Sequence, residues 1–251
     1  MTDLHSHILP GIDDGAQTVE DSLALLQEQI AQGVNQIALT PHFNAERITV
    51  EEFVERRAKS FKILKNAVEQ QGLPITLKLG AEVFFSSNLL EIDLEPLLLE
   101  DTGYLLVEFS PAFYPTWARD IFYKLGLQGI TPLLAHVERY PYMLKDPTRL
   151  YDLVNAGVIT QVNAGSIMRS GTRQAMIEKL FRWNMVHFLS SDTHSMDKRP
   201  PMLAQAMEKV KSWKGEETVQ YLRQNGADVF VGLTPQLLDA TKPKKFLGRW
   251  F

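Results

Sequence analysis

The chain predicts a single-domain α/β fold, a closed or nearly closed β/α barrel of about seven units, and three observations carry that expectation. Short apolar runs alternate with amphipathic segments along most of the chain, which implies parallel βαβ units. The length of 251 residues suits one α/β barrel better than one ordinary domain. No glycine-rich phosphate loop follows the first apolar run, so a dinucleotide fold is unsupported. An open doubly wound sheet is the structural alternative.

Taken in order, a very short strand precedes His5. The first helix follows Thr18 as N-cap, with Val19, Leu23, Leu26 and Ile30 forming a stripe at spacings of three and four. A strand at 36–39 comes next. Thr49 with Glu52 three residues on reads as a capping box, opening a helix whose apolar face is Val54, Ala58, Phe61 and Val68. Gly33 and Gly72 sit just past these two helices, where glycine is favoured. Further strands are expected at 75–81, 104–107, 131–135, 159–162 and 186–189. Further helices are expected at 115–124, 147–155, 172–183, 201–213 and 216–225.

Composition narrows the chemistry. There is no cysteine, which removes disulfides, thiolate metal sites and a cysteine nucleophile. Any catalysis must draw on the six histidines and 30 carboxylates. A formal net charge of −4 gives no basic footprint for nucleic acid. No apolar run approaches the roughly 18 residues that cross a bilayer. The N-terminus lacks the pattern of a secretory signal, so a cytoplasmic protein is expected.

The C-terminal ends of the apolar runs hold the chemistry. They carry Asp3-Leu4-His5-Ser6-His7, Thr40-Pro41-His42, Glu82, Glu108, His136, Asn163 and Ser191-Asp192-Thr193-His194 in turn. In a β/α barrel such ends converge on the face that bears the active site. All the histidines but His187 therefore point toward one region. His187, inside its strand, reads as a core residue or a neighbour of the site.

Imidazole and carboxylate together form the ligand set of zinc, manganese and iron sites. His-x-His on an extended strand places both rings on one face. Taken singly, these residues are weak signals, and Glu82 or Glu108 alone would read as a salt-bridged strand end. Their recurrence at independent strand ends points to metal. Asp13 or Asp14 is near enough in sequence to reach the same cavity. Eight or nine ligands exceed what one ion takes, so two or three ions with bridging carboxylates are expected. Such a centre suits hydrolysis by a metal-activated water. Phosphate esters need a further positive group, for which Arg139 is the first candidate and Arg199 the second, with Arg47 and Arg169 weaker options.

The order of these motifs resembles the polymerase-and-histidinol-phosphatase (PHP) superfamily. The run His5-Ser6-His7-Ile8-Leu9-Pro10-Gly11-Ile12-Asp13-Asp14-Gly15-Ala16 more closely resembles the bacterial manganese-dependent protein-tyrosine phosphatases of capsule and exopolysaccharide clusters. Thr40-Pro41-His42 and Ala135-His136-x-Glu138-Arg139-Tyr140 strengthen the match, which runs to about residue 235. The resemblance implies a distorted (β/α)7 TIM-like barrel with a trinuclear site. Its ligands would be His5, His7, Asp14, His42, Glu82, Glu108, His136, Asp192 and His194, with Asp14 chosen over Asp13 and Glu82 bridging. It also implies a catalytic role for Arg139 and, less securely placed, Arg199. Manganese is the expected ion, with iron, magnesium or zinc also compatible. The implied substrate is the phosphorylated C-terminal tail of a tyrosine autokinase. Phe43 departs from many relatives, which have a second histidine there.

Residues 1–240 are expected to form the barrel and 241–251 a short tail with four cations and three aromatics in its last ten residues. That tail reads either as a frayed terminus or as a weak membrane-surface or partner-docking element. Two alternatives to the tyrosine phosphatase stay open: a small-molecule phosphatase of the histidinol-phosphate type, and a regulatory subunit that binds the kinase tail.

Overall fold

The computed structural model describes residues 1–251, the side chain of residue 249 excepted. Nine strand segments make seven staves of one parallel barrel. They are β1 (Thr2–Asp3), β2 (Gln36–Leu39), β3 (His42–Phe43), β4 (Thr76–Leu79), β5 (Glu82–Phe84), β6 (Tyr104–Glu108), β7 (Thr131–Leu134), β8 (Ile159–Asn163) and β9 (Phe188–Ser190). β2 continues into β3, and β4 into β5. The pairing offset is unchanged across both breaks, with Leu39 opposite Leu79 and His42 opposite Glu82. Hydrogen bonds from Gly80 N to Leu39 O and from Glu82 N to Pro41 O, each 3.0 Å, carry the ladder through. The remaining staves pair in chain order through β9.

The first and last staves then meet. Ser6 bridges Thr193 in parallel, His7 N donates to Thr193 O at 2.9 Å, and Asp192 N donates to His5 O at 3.0 Å. This seam closes the sheet at the level of the site residues.

Helices wrap the outside: α1 (Val19–Ala31), α2 (Val50–Gln70), α3 (Ala118–Leu127), α4 (Pro141–Lys145), α5 (Thr148–Asn155), α6 (Ala164–Met168), α7 (Thr172–Arg182), α8 (Leu203–Lys214) and α9 (Glu216–Phe230). The β5–β6 connection holds two short 3-10 turns in place of an α-helix. Thr18 caps α1 with a full reciprocal box to Asp21. At Thr49, where the box was expected with Glu52, the threonine hydroxyl accepts from Glu52 N.

The structure adjusts several expected elements. The stave at 75–81 pauses at Gly80-Ala81 and resumes at Glu82, so Glu82 lies within the barrel wall instead of beyond it. Helix α3 begins three residues after the expected 115, because Pro115 O is taken up in a turn with Ala118 N. Helix α9 runs five residues past the expected 225. Asn225 is buried and donates to the carbonyls of His187 and Gln236, and the bare backbone of Gly226 lies against Thr2. The last residues form a hairpin, Lys245–Phe246 against Arg249–Trp250. The Trp250 indole donates to Lys145 O at 3.0 Å and Lys179 Nζ donates to Trp250 O at 2.7 Å, so this segment is folded onto α4 and α7.

A small apolar cluster fills the barrel and explains where the site lies. It includes Leu4, Ala38, Tyr104, Leu106, Leu133, Ile159 and Phe188, with Val229 and Phe230 at the end of α9. Strand side chains alternate with period two. The faces that begin with Ala38, Leu106, Ile159 and Phe188 therefore continue to His42, Glu108, Gln161 with Asn163, and Asp192. One end of each inward face is oil and the other is ligand chemistry.

Leu106 is completely buried in that cluster. Leu106→Ala should cost about 3 kcal/mol in urea unfolding. Ile63→Ala, at a site 54% exposed, should cost under about 0.5 kcal/mol.

Candidate metal centre

Ring nitrogens and carboxylate oxygens from all parts of the chain meet at the ligand end of the barrel. His5 Nε2 and His7 Nε2 stand 3.1 Å apart. Each is 3.3 Å from Glu82 Oε2 and 3.5 Å from Asp192 Oδ1. His42 Nδ1 lies 2.9 Å from Glu82 Oε2 and 3.4 Å from Glu108 Oε1. His136 Nε2 reaches the other Glu82 oxygen at 2.7 Å and Glu108 at 3.8 Å. Asp14 Oδ1 lies 3.3 Å from both His42 Nε2 and His194 Nε2. Glu82 is thus the hub: its two oxygens face four imidazoles.

Among the described residues, ligand-type atoms gather into three tight groups. They are His5, His7 and Asp192; His7, Asp14, His42 and His194; and His42, Glu82 and Glu108. His136 falls outside these three and joins through Glu82. All nine residues named from the sequence as ligands are therefore in one place. His187 is not among them. It is buried, with Nδ1 accepting from Thr160 N, and burial pushes its pKa down to about 4. Phe43 faces away, packed at 5.0 Å on Phe53.

The site fits cations on three grounds. The Nδ1 of His5 is turned to Gln161 Oε1 at 3.2 Å, and that of His7 to Asp13 Oδ2 at 2.7 Å. Those acceptors hold the Nδ1 protons, so the Nε2 lone pairs of both rings point at each other and into the site. Second, His194 Nε2 is buried without a hydrogen-bond partner among the described residues, and Glu82 Oε2 has ring nitrogens 2.9–3.3 Å away but no aligned hydrogen bond. Third, facing lone pairs and clustered acids repel unless positive charge lies between them.

Without metal, protons take that place. Burial works against charge on His7, but the Asp13 carboxylate outweighs it and lifts the pKa to about 9. Burial also opposes charge on His42, yet the adjacent Glu108 and Glu82 carboxylates raise it to about 11. His194 goes the other way, to about 3, through burial and the neighbouring His7 charge. Burial opposes the Glu82 anion, and the surrounding imidazoles nevertheless hold it well below the usual carboxylate range.

The two aspartates of the Gly11–Gly15 loop divide their work. Asp13 is nearly enclosed and orients His7, while also accepting from His42 N and Gly15 N. Asp14 is exposed and turns to the rings of His42 and His194. Gly15 lies flush on His7, and a Cβ there would overlap the His7 carbonyl oxygen.

Gln161 and Gln29 went unnoticed in the sequence, and Asp3 and Asn163 were placed at strand ends without a role. Gln161 Oε1 also accepts from His136 N at 2.8 Å, and its amide donates to Asn163 Oδ1 at 2.7 Å. Asn163 in turn donates to Asp192 Oδ2 at 2.6 Å. This buried relay ties His5, His136 and Asp192 together. Its signals were Asn163 at the strand end and the alternation Ile159, Gln161, Asn163. Asp3 accepts from Ser191 N at 3.0 Å and Gln29 Nε2 at 2.6 Å, clasping the first stave to the end of the seventh. Two site residues, His136 at φ 34° and Asp192 at φ 50°, have left-handed backbone, which turns the chain sharply off its strand.

Both arginines singled out from the sequence border the site. Arg139 Nη1 lies 3.1 Å from Asp192 Oδ2. Arg199 lies 2.9 Å from Asp14 Oδ2 and 3.5 Å from Asp192 Oδ1. Arg47 and Arg169 line clefts on opposite sides of the centre. No helix of the described residues is long and apolar enough to cross a membrane.

The chain is similar to proteins of known family. A family model described as capsular polysaccharide synthesis, CpsB/CapC, matches residues 1–231. The chain is 33% identical over 234 residues to the tyrosine-protein phosphatase CpsB of Streptococcus agalactiae, covering 88% of this chain and 94% of that protein. It is 32% identical over 230 residues to the tyrosine-protein phosphatase YwqE of Bacillus subtilis, covering 90% and 89%. A solved structure from a study of YwqE from B. subtilis and CpsB from Streptococcus pneumoniae, described as unique metal-dependent tyrosine phosphatases, superposes with a TM-score of 0.87. That match has 27% identity and covers 98% of this chain and all of the other.

Two outcomes are expected. Loading metal-free protein with Mn2+ at pH 7 should release the protons on His7 and His42, and apparent affinity should climb between about pH 7 and 9. Calorimetry in buffers of different ionisation enthalpy measures this. Gln161→Leu should weaken metal retention by about 10- to 100-fold in a chelator competition while leaving the far-UV spectrum intact.

Proposed function

The chain belongs to the CpsB/CapC family of capsular polysaccharide synthesis, and from that membership we propose that it is a metal-dependent protein-tyrosine phosphatase acting in capsule or exopolysaccharide production. The observation that carries the reading is the meeting of five histidines, four carboxylates and two arginines at one end of the barrel. We assign His5, His7, Asp14, His42, Glu82, Glu108, His136, Asp192 and His194 as the residues that would hold the metal, with Glu82 central among them and Asp13 and Gln161 orienting the rings. When bound, the ions activate water for attack on phosphorus and neutralise charge on the phosphoryl oxygens. Hard carboxylate with imidazole suits manganese, the ion we favour.

The protein's own groups supply the rest. Arg139 and Arg199 stand on two sides of Asp192, and their guanidinium forks match phosphoryl oxygens in geometry and charge. Asn163 holds Asp192 through Oδ2, leaving Oδ1 turned toward His5 and His7. No thiol exists in the chain, so no cysteinyl phosphoenzyme forms. The physiological substrate we favour is the phosphorylated C-terminal tail of a tyrosine autokinase. We place the catalytic unit in residues 1–240, with 241–251 as an appendage.

The test compares hydrolysis of a phosphotyrosyl peptide with that of histidinol phosphate, alongside metal content, on protein purified without chelator. The peptide should be the better substrate, and chelation should abolish its turnover until Mn2+ is restored. Iodoacetamide should have no effect. Arg139→Ala should lower kcat by about 100-fold. Preference for histidinol phosphate would transfer the assignment to a small-molecule phosphatase, and thiol-reagent sensitivity would sink the mechanism. If Asp192→Asn kept full biological effect, the regulatory-subunit reading would replace it.

A further inference from the structure

Two clefts leave the metal centre in opposite directions, and their charges differ. One, of about 560 Å³, runs beneath the turns that follow β7, β8 and β9. It is lined by Arg139, Arg169, Arg173, Lys198 and Arg199, with Asp192 where it meets the site. The other, of about 800 Å³, lies beyond His42 and Glu108, and there Arg47 and Arg56 are balanced by Glu46 and Glu52 before any site carboxylate is counted.

Within the first cleft the cations fall into two kinds. Arg139 and Arg199 are engaged by Asp192 and Asp14. Arg169, Arg173 and Lys198 are exposed and form no ion pair among the described residues. They come from two connections: Arg169 and Arg173 from the corner between α6 and α7, and Lys198 from the loop after His194. A smaller hollow prolongs the basic track from Arg139 and Arg173 to Lys145. Like charges gathered round one concavity repel one another, and an anion placed among them relieves that cost. Met168 and Met202 also line the cleft, providing an apolar surface for the stem of a side chain.

We propose that this cleft is a second anion subsite, which holds an acidic group carried on the same substrate chain as the scissile phosphotyrosine. The group is a carboxylate or a further phosphate, and it is gripped by Arg169, Arg173 and Lys198. The proposal rests on the phosphatase reading and deepens it. It also fixes a direction: because only one of the two clefts carries surplus positive charge, acidic groups help on one side of the phosphotyrosine and not on the other.

The test uses the full-length, Mn2+-loaded protein and a panel of phosphotyrosyl peptides. One is neutral on both sides. Two carry a pair of glutamates, N-terminal or C-terminal to the phosphotyrosine. Two carry a second phosphotyrosine in those same places. At low salt, kcat/KM should rise about tenfold for acid on one side only. The advantage should shrink in 0.5 M salt. It should disappear in the triple variant R169Q/R173Q/K198Q, with the ratio to the neutral peptide taken within each protein. The glutamate and second-phosphate arms show which anion the subsite prefers. Equal rates for all peptides, equal benefit on both sides, or a preference that survives in the triple variant overturns the subsite while leaving the phosphatase intact. Failure to hydrolyse any peptide removes the phosphatase reading itself. Should the triple variant not fold, the salt dependence of the wild-type ratio decides, and a salt-independent preference counts against the proposal.

Discussion

The seam between the first and last staves is the constraint on which the rest depends. Stretches separated by more than 180 residues are joined there by backbone hydrogen bonds from Asp192 to His5 and from His7 to Thr193. Those residues are also the ones whose side chains enter the centre. Closure of the barrel and assembly of the site are thus one event, reinforced by the Asp3–Ser191–Gln29 clasp just behind it. Bringing such distant segments together costs loop entropy. The apolar plug of Leu4, Leu106, Phe188 and their neighbours supplies the opposing burial.

What the crowded side chains at the seam require is equally physical. Buried imidazoles and carboxylates at this density cannot coexist as bare charges and lone pairs. In the free chain protons on His7 and His42 carry the compensating charge. Glu82 sits where it must answer to four rings, which is why its backbone belongs to the barrel wall and not to a loop. The arginines stand at the rim beside Asp192 and Asp14, and the two clefts that open there differ in charge.

Much of this was legible in the sequence, because a parallel barrel turns position along a strand into position in space. Recurring His, Asp and Glu after apolar runs needed only the period-two rule to become a cluster. The choice between Asp13 and Asp14 was not available from spacing, since adjacent residues differ only in which way a loop turns. Gln161 looks like an ordinary polar strand residue, and Asn163 a strand end without a partner, until their neighbours on β7 and β9 are in place. The pause at Gly80 was hidden because the ladder runs through it. Helix α9 outran its expected end because Asn225-Gly226, a stop by local rules, is held by tertiary contacts with His187 and Thr2. The hairpin at the C-terminus depends on carbonyl and lysine partners in α4 and α7 that no local pattern announces.

The left-handed backbone at His136 and Asp192 also limits how this protein can change. β-Branched and bulky residues are strained in that conformation, whereas Asn, Asp, His and Gly adopt it readily. Mutational drift at position 192 is thereby channelled. Replacements that suit this backbone are mainly Asn, His and Gly, all of which erase the negative charge at the heart of the centre. A disarmed descendant of this barrel would keep its shape, its clefts and its surface, and would differ from the working form by little more than a single codon.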